Sequence, residues 1–280
     1  MHHPEVVETA DALRRAVAAA HAAGKMVGFV PTMGALHAGH ASLIERAKSE
    51  NDFVVVSIFV NPTQFGPHED FDRYPRNLDH DLTICAGADL VFHPPTGVIY
   101  PAGFHTFVEV TELQDVLEGA SRPGHFRGVC TVVLKLFNLV QPDRAYFGQK
   151  DAQQVRIIQQ VVRDLAVPVE VVVCPIVREA DGLALSSRNR YLDPEQRRNA
   201  VVLSRALDEA RSLHAQGETD AAKLRQRMAD LIKATPGASI DYVAVVDADT
   251  LRPVDRVQAP TMLVLAVRFG ATRLIDNALI

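Results

Sequence analysis

Cysteine is scarce in this 280-residue chain. There are three, Cys85, Cys130 and Cys174, each isolated among apolar or small neighbours, with no Cys-x-x-Cys. An odd number cannot pair fully within one chain, so they read as reduced, structural thiols of a cytoplasmic protein. A reactive cysteine needs an electropositive setting, which none of their flanks supplies. No apolar run reaches transmembrane length, and the first residues, Met1-His2-His3-Pro4-Glu5, lack the apolar core of a signal peptide. His2 and His3 are given no role. Polybasic stretches are also missing: acids and bases are interspersed and the formal charge is −5. That excludes the electrostatic footprint of a nucleic-acid binder. There is no internal repeat, no long linker and no low-complexity segment beyond an alanine-rich first helix. The chain is therefore expected to act without membrane or nucleic acid.

With 48% hydrophobic residues, the chain can bury one large core or two medium ones. Residues 9–23 carry Leu13, Ala16, Val17 and Ala20 at helical spacing, with Thr9 as N-cap and Gly24 as stop. An apolar run over 26–30 reads as a buried strand, and 42–48 as a helix. Between them stands Pro31-Thr32-Met33-Gly34-Ala35-Leu36-His37-Ala38-Gly39-His40. A strand, a glycine-bearing turn and a helix start are the ingredients of an anion site. His37 and His40, spaced i, i+3, share one face of the first turn. They suit phosphate; metal binding and a solvated turn are the alternatives at this point. The β-branched run over 53–60 reads as a strand covered on both faces, so 26–60 form a βαβ unit.

Asn61-Pro62-Thr63-Gln64 follows that strand, at the end where parallel sheets bind ligands, which makes Asn61 and Gln64 candidates for substrate hydrogen bonds. An ordinary Asn-Pro turn is the alternative. Residues 78–86 read as a helix. Asp79 and Asp81 in its first turn either complement the dipole or serve magnesium. Short strands are expected at 89–92, 106–110 and 145–147, and an apolar helix over 129–140 after the basic turn 122–128. Lys150 then opens a helix that runs to residue 165, a place where a cation can meet phosphate. A strand over 169–173 ends at Pro175. Ser186-Ser187-Arg188 offers two hydroxyls and a planar cation to phosphate oxygens, or else is a solvated loop. Beyond it the pattern turns to charge-rich helices at 194–215 and 220–234 and strands at 240–246, 261–268 and 273–275.

Four polar clusters, three of them after predicted strands, suggest one ATP site. His37-Ala38-Gly39-His40 resembles the H-x-G-H signature of nucleotidylyltransferases and class I aminoacyl-tRNA synthetases. Leu185-Ser186-Ser187-Arg188-Asn189 resembles the second signature of that superfamily. More closely, the chain resembles the pantothenate synthetase (pantoate–β-alanine ligase) family. The resemblance rests on residues 31–37, 59–65, 122–126, 147–151 and 185–192, in family order over nearly the full length. It implies an α/β fold: a Rossmann-like parallel sheet with helices on both faces over residues 1–176, binding ATP and pantoate. A smaller C-terminal α+β domain over 177–280 would carry the Ser-Ser-Arg loop.

The resemblance also implies ATP-dependent condensation of pantoate with β-alanine through a pantoyl adenylate, with Mg²⁺, in a cytoplasmic homodimer. His37, His40, Lys150, Ser186, Ser187 and Arg188 would be catalytic, all six meeting ATP phosphates. Met33, Gly148, Asp151, Val177 and Leu185 would complete the ATP site. Gln64, Gln154 and Asn61 would bind pantoate; the helix start offers Asp79, His80 and Asp81 to the metal, and Asp81 is taken as its contact. Three positions depart from the family pattern: Ala38 in place of a common glutamate, Leu185 of methionine and Ala152 of an aromatic residue. None removes an indispensable charge. The rivals are an adenylyltransferase that stops at a nucleotide product and a regulatory nucleotide binder that has lost catalysis.

Overall fold

The computed structural model describes residues 4–67, 69–258 and 260–280, so His2 and His3 lie outside the described residues. Two compact units divide the chain: Met1–Gly148 with Gln153–Pro175, and Gln149–Ala152 with Ile176–Ile280. A boundary drawn after residue 176 makes no provision for Gln149–Ala152, a four-residue segment that folds with the second unit.

The first unit is built on six parallel strands. They are β1 (Glu5–Val7), β2 (Val27–Thr32), β3 (Phe53–Ile58), β4 (Leu90–Phe92), β5 (Arg144–Gly148) and β6 (Glu170–Cys174), in the order β1-β4-β3-β2-β5-β6. Its helices are α1 (Ala10–Ala22), α2 (Ala38–Glu50), α3 (Leu78–Ile84), the short α4 (Thr96–Ile99) and α5 (Glu118–Ser121), α6 (His125–Val140) and α7 (Ala152–Asp164). Thr9 caps α1, its hydroxyl accepting from the Ala12 N–H at 3.2 Å.

Alternation along β2 explains how both faces are covered. Val30 joins Val56, Ile58 and Val91 against Leu43, Ile44 and Ala47 of α2. Its neighbour Phe29 points the other way and meets Phe137 of α6 edge-on, with ring centroids 6.4 Å apart. Phe147 of β5 meets the same Phe137 ring at 6.4 Å. Val54, Val55 and Val56 of β3 are all wholly buried, which is why that stretch of sequence is apolar without a period. The fold is the expected Rossmann-like α/β sheet.

Chain order turns at β2. The sheet grows through β3 and β4 on one side of it, and through β5 and β6 on the other. All six residues of β2 pair with β3, but only Gly28 and Phe29 pair with β5. β5 itself continues to Gly148 on β6. The carboxyl ends of β2 and β5 are thus left without a shared ladder, the switch point at which open parallel sheets take ligands.

The second unit holds α8 (Pro194–Asn199), α9 (Val202–Ala215) and α10 (Ala221–Lys233) with an antiparallel sheet β7 (Ala238–Asp247), β8 (Thr261–Phe269), β9 (Thr272–Leu279) in that order. Leu203, Leu207, Leu224 and Met228 pack on Leu263 and Leu265.

Three expectations change. Residues 106–110 form no strand; the Val108 N–H is taken by the Thr131 hydroxyl at 3.0 Å, and Arg127 stacks on the Phe107 ring at 3.9 Å. Helix α6 starts at His125 instead of 129, because Gly124 at φ +82 supplies the left-handed entry. The helix expected over 194–215 is two, α8 and α9. Strand β1, only three residues long, carries no periodic signal to read.

Candidate active site

The turn after β2 gathers its own support. Gly34 and Ala35 both have positive φ, +81° and +51°. Such a turn aims successive N–H groups at one point. The anion at that point is a side chain: Asp81 of α3, 1% exposed, accepts from the Ala35 N–H at 3.0 Å and from the Leu36 N–H at 2.8 Å. Its fit explains Gly34, where a Cβ would lie 2.9 Å from an Asp81 oxygen. Asp81 thus serves the turn itself. Both its oxygens are engaged on the turn, and no cluster of three metal-ligating side chains occurs among the described residues.

His37 is the N-cap of α2, in extended conformation at φ −149°. Its Nδ1 accepts from the Gly39 N–H at 3.1 Å, and His40 Nδ1 accepts from the His37 N–H at 3.3 Å. The two side chains make a reciprocal capping box, the work usually done by Ser/Thr and Glu. A consequence follows for their chemistry. An acceptor Nδ1 in neutral imidazole puts the proton on Nε2. Both rings are thereby set as Nε2–H donors, with centroids 4.2 Å apart.

Asn61 and Gln64 differ in what they can offer. Asn61 is 1% exposed; it donates to Gln64 Oε1 at 3.0 Å and to the Gly128 carbonyl at 3.1 Å, and accepts from the Tyr100 hydroxyl at 2.7 Å. Its oxygen also caps the Pro62–Gln64 turn through the Thr63 N–H at 3.3 Å. Asn61 thus holds the turn together. Gln64, 7% exposed, keeps its amide N–H₂ on the Met33 sulfur at 2.9 Å. Sulfur is a weak acceptor, so a ligand oxygen displaces it at little cost. Gln154 lies partly exposed on α7.

His125 holds the Gln64 turn from beneath. Its Nδ1 is 2.9 Å from the Gln64 carbonyl and its Nε2 3.1 Å from Arg122 Nη1. Arg122 in turn grips Glu69 with two bonds of 2.6 Å. Only one tautomer fits: Nδ1–H donates and Nε2 accepts. Burial first, and the Arg122 charge second, push the imidazole down to about 4. A histidine depressed in the folded state favours unfolding once the unfolded chain protonates more readily. Its contribution is full above the unfolded value near 6.5 and is lost as pH falls toward about 4. Up to about 3 kcal/mol is at stake. Thermal denaturation at about pH 7, 5.5 and 4 should show that loss, and His125→Asn should show a shallower one. Equal slopes in the two proteins would remove His125 as the source.

In the second unit, Lys150 lies in a 3₁₀ turn, Gln149–Asp151. The residue keeps some exposure, yet the surroundings of its ammonium desolvate it and pull it below the usual lysine value. The Asp151 carboxylate opposes that effect and the Arg188 guanidinium adds to it. Asp151 itself is exposed. Ser186 caps the turn Ser187–Tyr191, its hydroxyl accepting from the Arg188 N–H at 3.2 Å. The hairpin before it is closed by Leu185 N–H to Val177 O at 3.0 Å and by an Arg178–Ala184 bridge. Gly148 ends β5, with open space where a Cβ would stand. Asp276 and Asn277 of β9 are site supports that sequence reasoning misses; a polar pair in the apolar run Leu274-Ile275-Asp276-Asn277-Ala278 is the available signal.

The family model for pantoate–β-alanine ligase matches residues 5–279. The pantothenate synthetase of Acetivibrio thermocellus is 55% identical, over 98% of this chain and 99% of that protein. The crystal structure of pantothenate synthetase from Thermus thermophilus superposes with a TM-score of 0.92 at 50% identity, covering 98% of each chain. That of the Francisella tularensis pantoate–β-alanine ligase, complexed with β,γ-ATP and β-alanine, gives 0.78 at 36% identity, covering 99% of this chain and 97% of that one. A signature that begins as two histidines on a helix start is matched along the whole chain, and the protein belongs to the pantoate–β-alanine ligase family.

Proposed function

We propose that this ligase forms pantothenate, in the ATP-dependent reaction of its family, through a pantoyl adenylate. The observation that carries this reading is the paired tautomer of His37 and His40. Two Nε2–H donors fixed in advance stabilise charge on phosphate oxygens without reorganising during the reaction.

A carboxylate is a poor acyl donor. Pantoate therefore attacks the α-phosphorus of ATP in line; a carboxyl O–P bond forms and the bond to pyrophosphate breaks. Positioning and charge stabilisation carry such a step. Lys150, Arg188 and the hydroxyls of Ser186 and Ser187 take the triphosphate and the departing pyrophosphate. Asp151, Gly148, Val177, Leu185 and Met33 line the rest of the nucleotide's surroundings. Gln64, freed from the Met33 sulfur, and Gln154 bond the hydroxyls and carboxylate of pantoate, while Asn61 holds Gln64 in place. The neutral amine of β-alanine then attacks the acyl carbon. A C–N bond forms, AMP leaves with the anhydride oxygen, and the amine proton passes to solvent. Magnesium would accompany ATP, with Asp81 its candidate carboxylate, and would offset charge on the phosphates. The reading extends to a homodimer in the cytoplasm, and light scattering on the purified chain tests the first.

AMP production from ATP checks the whole. It is expected with pantoate and β-alanine together, and with neither alone. Pyrophosphate release with another acid, and none with pantoate, would sink the reading.

A further inference from the structure

Asp276 and Asn277 break the alternation of β9. Neighbours on a strand face opposite ways, yet these two are 2% and 3% exposed. Burying polar groups is unfavourable unless they are bonded, and here the partners are specific. Asn277 gives both amide protons to the lysine turn, to the Gln149 carbonyl at 2.9 Å and the Lys150 carbonyl at 3.0 Å. Its oxygen accepts from Gln149 Nε2 at 3.1 Å. Asp276 takes the Arg178 guanidinium with two bonds, 2.6 and 2.9 Å. Arg178 stands at the base of the hairpin that ends in Ser186-Ser187-Arg188, and also donates to the Gly182 carbonyl at 3.0 Å. One strand thus fastens two segments that lie far apart in the chain.

We propose that Asp276 and Asn277 are a positioning pair: Asn277 fixes the Lys150 turn, Asp276 fixes the Ser-Ser-Arg hairpin through Arg178, and their adjacency on β9 sets the spacing of the two phosphate-binding elements. The proposal rests on the reading that Lys150 and the Ser-Ser-Arg turn meet ATP. It differs from a purely structural role in what it predicts for the first step. Asp276 also bears on Lys150 electrically. Three charged groups face that ammonium: Asp151 and Asp276 raise it, and Arg188 lowers it.

Pantoate-dependent exchange of pyrophosphate into ATP reads the first step alone. Asn277→Ala is expected to lower it on the order of 10- to 100-fold, the cost of a misplaced catalytic group. Its melting temperature should stay near the wild-type value and its KM for β-alanine should not move. Asp276→Asn, which removes a charge that raises Lys150, should shift the alkaline limb of kcat/KM for ATP to lower pH. A stability defect alone cannot produce that shift, so this variant decides the matter should Asn277→Ala fold poorly. Wild-type exchange in Asn277→Ala, or an unmoved alkaline limb in Asp276→Asn, overturns the proposal. A wild-type chain with no pantoate-dependent exchange instead overturns the reading of the site beneath it.

Discussion

Lys150→Ala is expected to lower kcat on the order of 10²- to 10³-fold, the usual consequence of removing a donor aimed at developing charge. The ground for so large an effect is electrostatic. Before ATP binds, desolvation works against the Lys150 ammonium and Arg188 repels it. On the proposed reading a polyphosphate would relieve both, so the lysine would meet its full interaction only with substrate in place. Removal of the ammonium would also leave charge on the departing pyrophosphate unmatched. Lys150→Arg should not rescue. A planar fork with five donors does not replace a compact ammonium whose backbone is fixed from β9. Single-turnover formation of AMP separates this loss from slow product release. Turnover near the wild-type level in Lys150→Ala would take the residue out of the mechanism.

Gly128→Ala should damage the substrate turn without touching any group that meets ATP. A Cβ at this position would lie 2.4 Å from the Thr63 carbonyl oxygen, 2.6 Å from its carbon and 2.7 Å from the Gln64 nitrogen. Those are backbone atoms, which cannot swing aside as a long side chain does. They belong to the turn whose position Asn61 and His125 define. One methyl group therefore forces α6 and the Pro62–Gln64 turn apart. A loss of roughly 1–3 kcal/mol, or more, is the range for overpacking. The same shift carries Gln64 away from its place, so KM for pantoate should rise on the order of 10-fold, about 1.4 kcal/mol, with KM for ATP little changed. Urea denaturation and the two KM values check both halves. An unchanged KM for pantoate in a destabilised variant would disconnect the turn's packing from substrate recognition.

How much of this can be read in advance depends on what each residue interacts with. Strands β2 to β5 are visible because burial on both faces demands continuous apolar residues, as at Val54-Val55-Val56. The histidine turn is visible because its chemistry is local: His37 and His40 bond to atoms within three residues. Alternation misleads at 106–110, since it reports which faces are wet and says nothing of a partner strand. The Val108 N–H finds a threonine hydroxyl 23 residues on. The work of Asp81 on the turn is hidden for a related reason. A carboxylate in a first helical turn has several possible partners, and the turn amides that claim it lie 45 and 46 residues away. Asn277 reaches 127 residues to Lys150. The proposed members of the site are legible; their supports, being nonlocal, are not.

That last contact bears on how the chain acquires its order. A bond across 127 residues closes a large loop, and its entropic cost falls due before the contact returns anything. The six-stranded sheet needs no such bond, since β1 to β6 all precede the segments of β7, β8 and β9. On a ribosome the sheet can form while the lysine turn, already synthesised between β5 and α7, still lacks the carboxamide that fixes it. Competence for phosphate chemistry therefore comes late in the life of the nascent chain, after a core that looks complete has already formed.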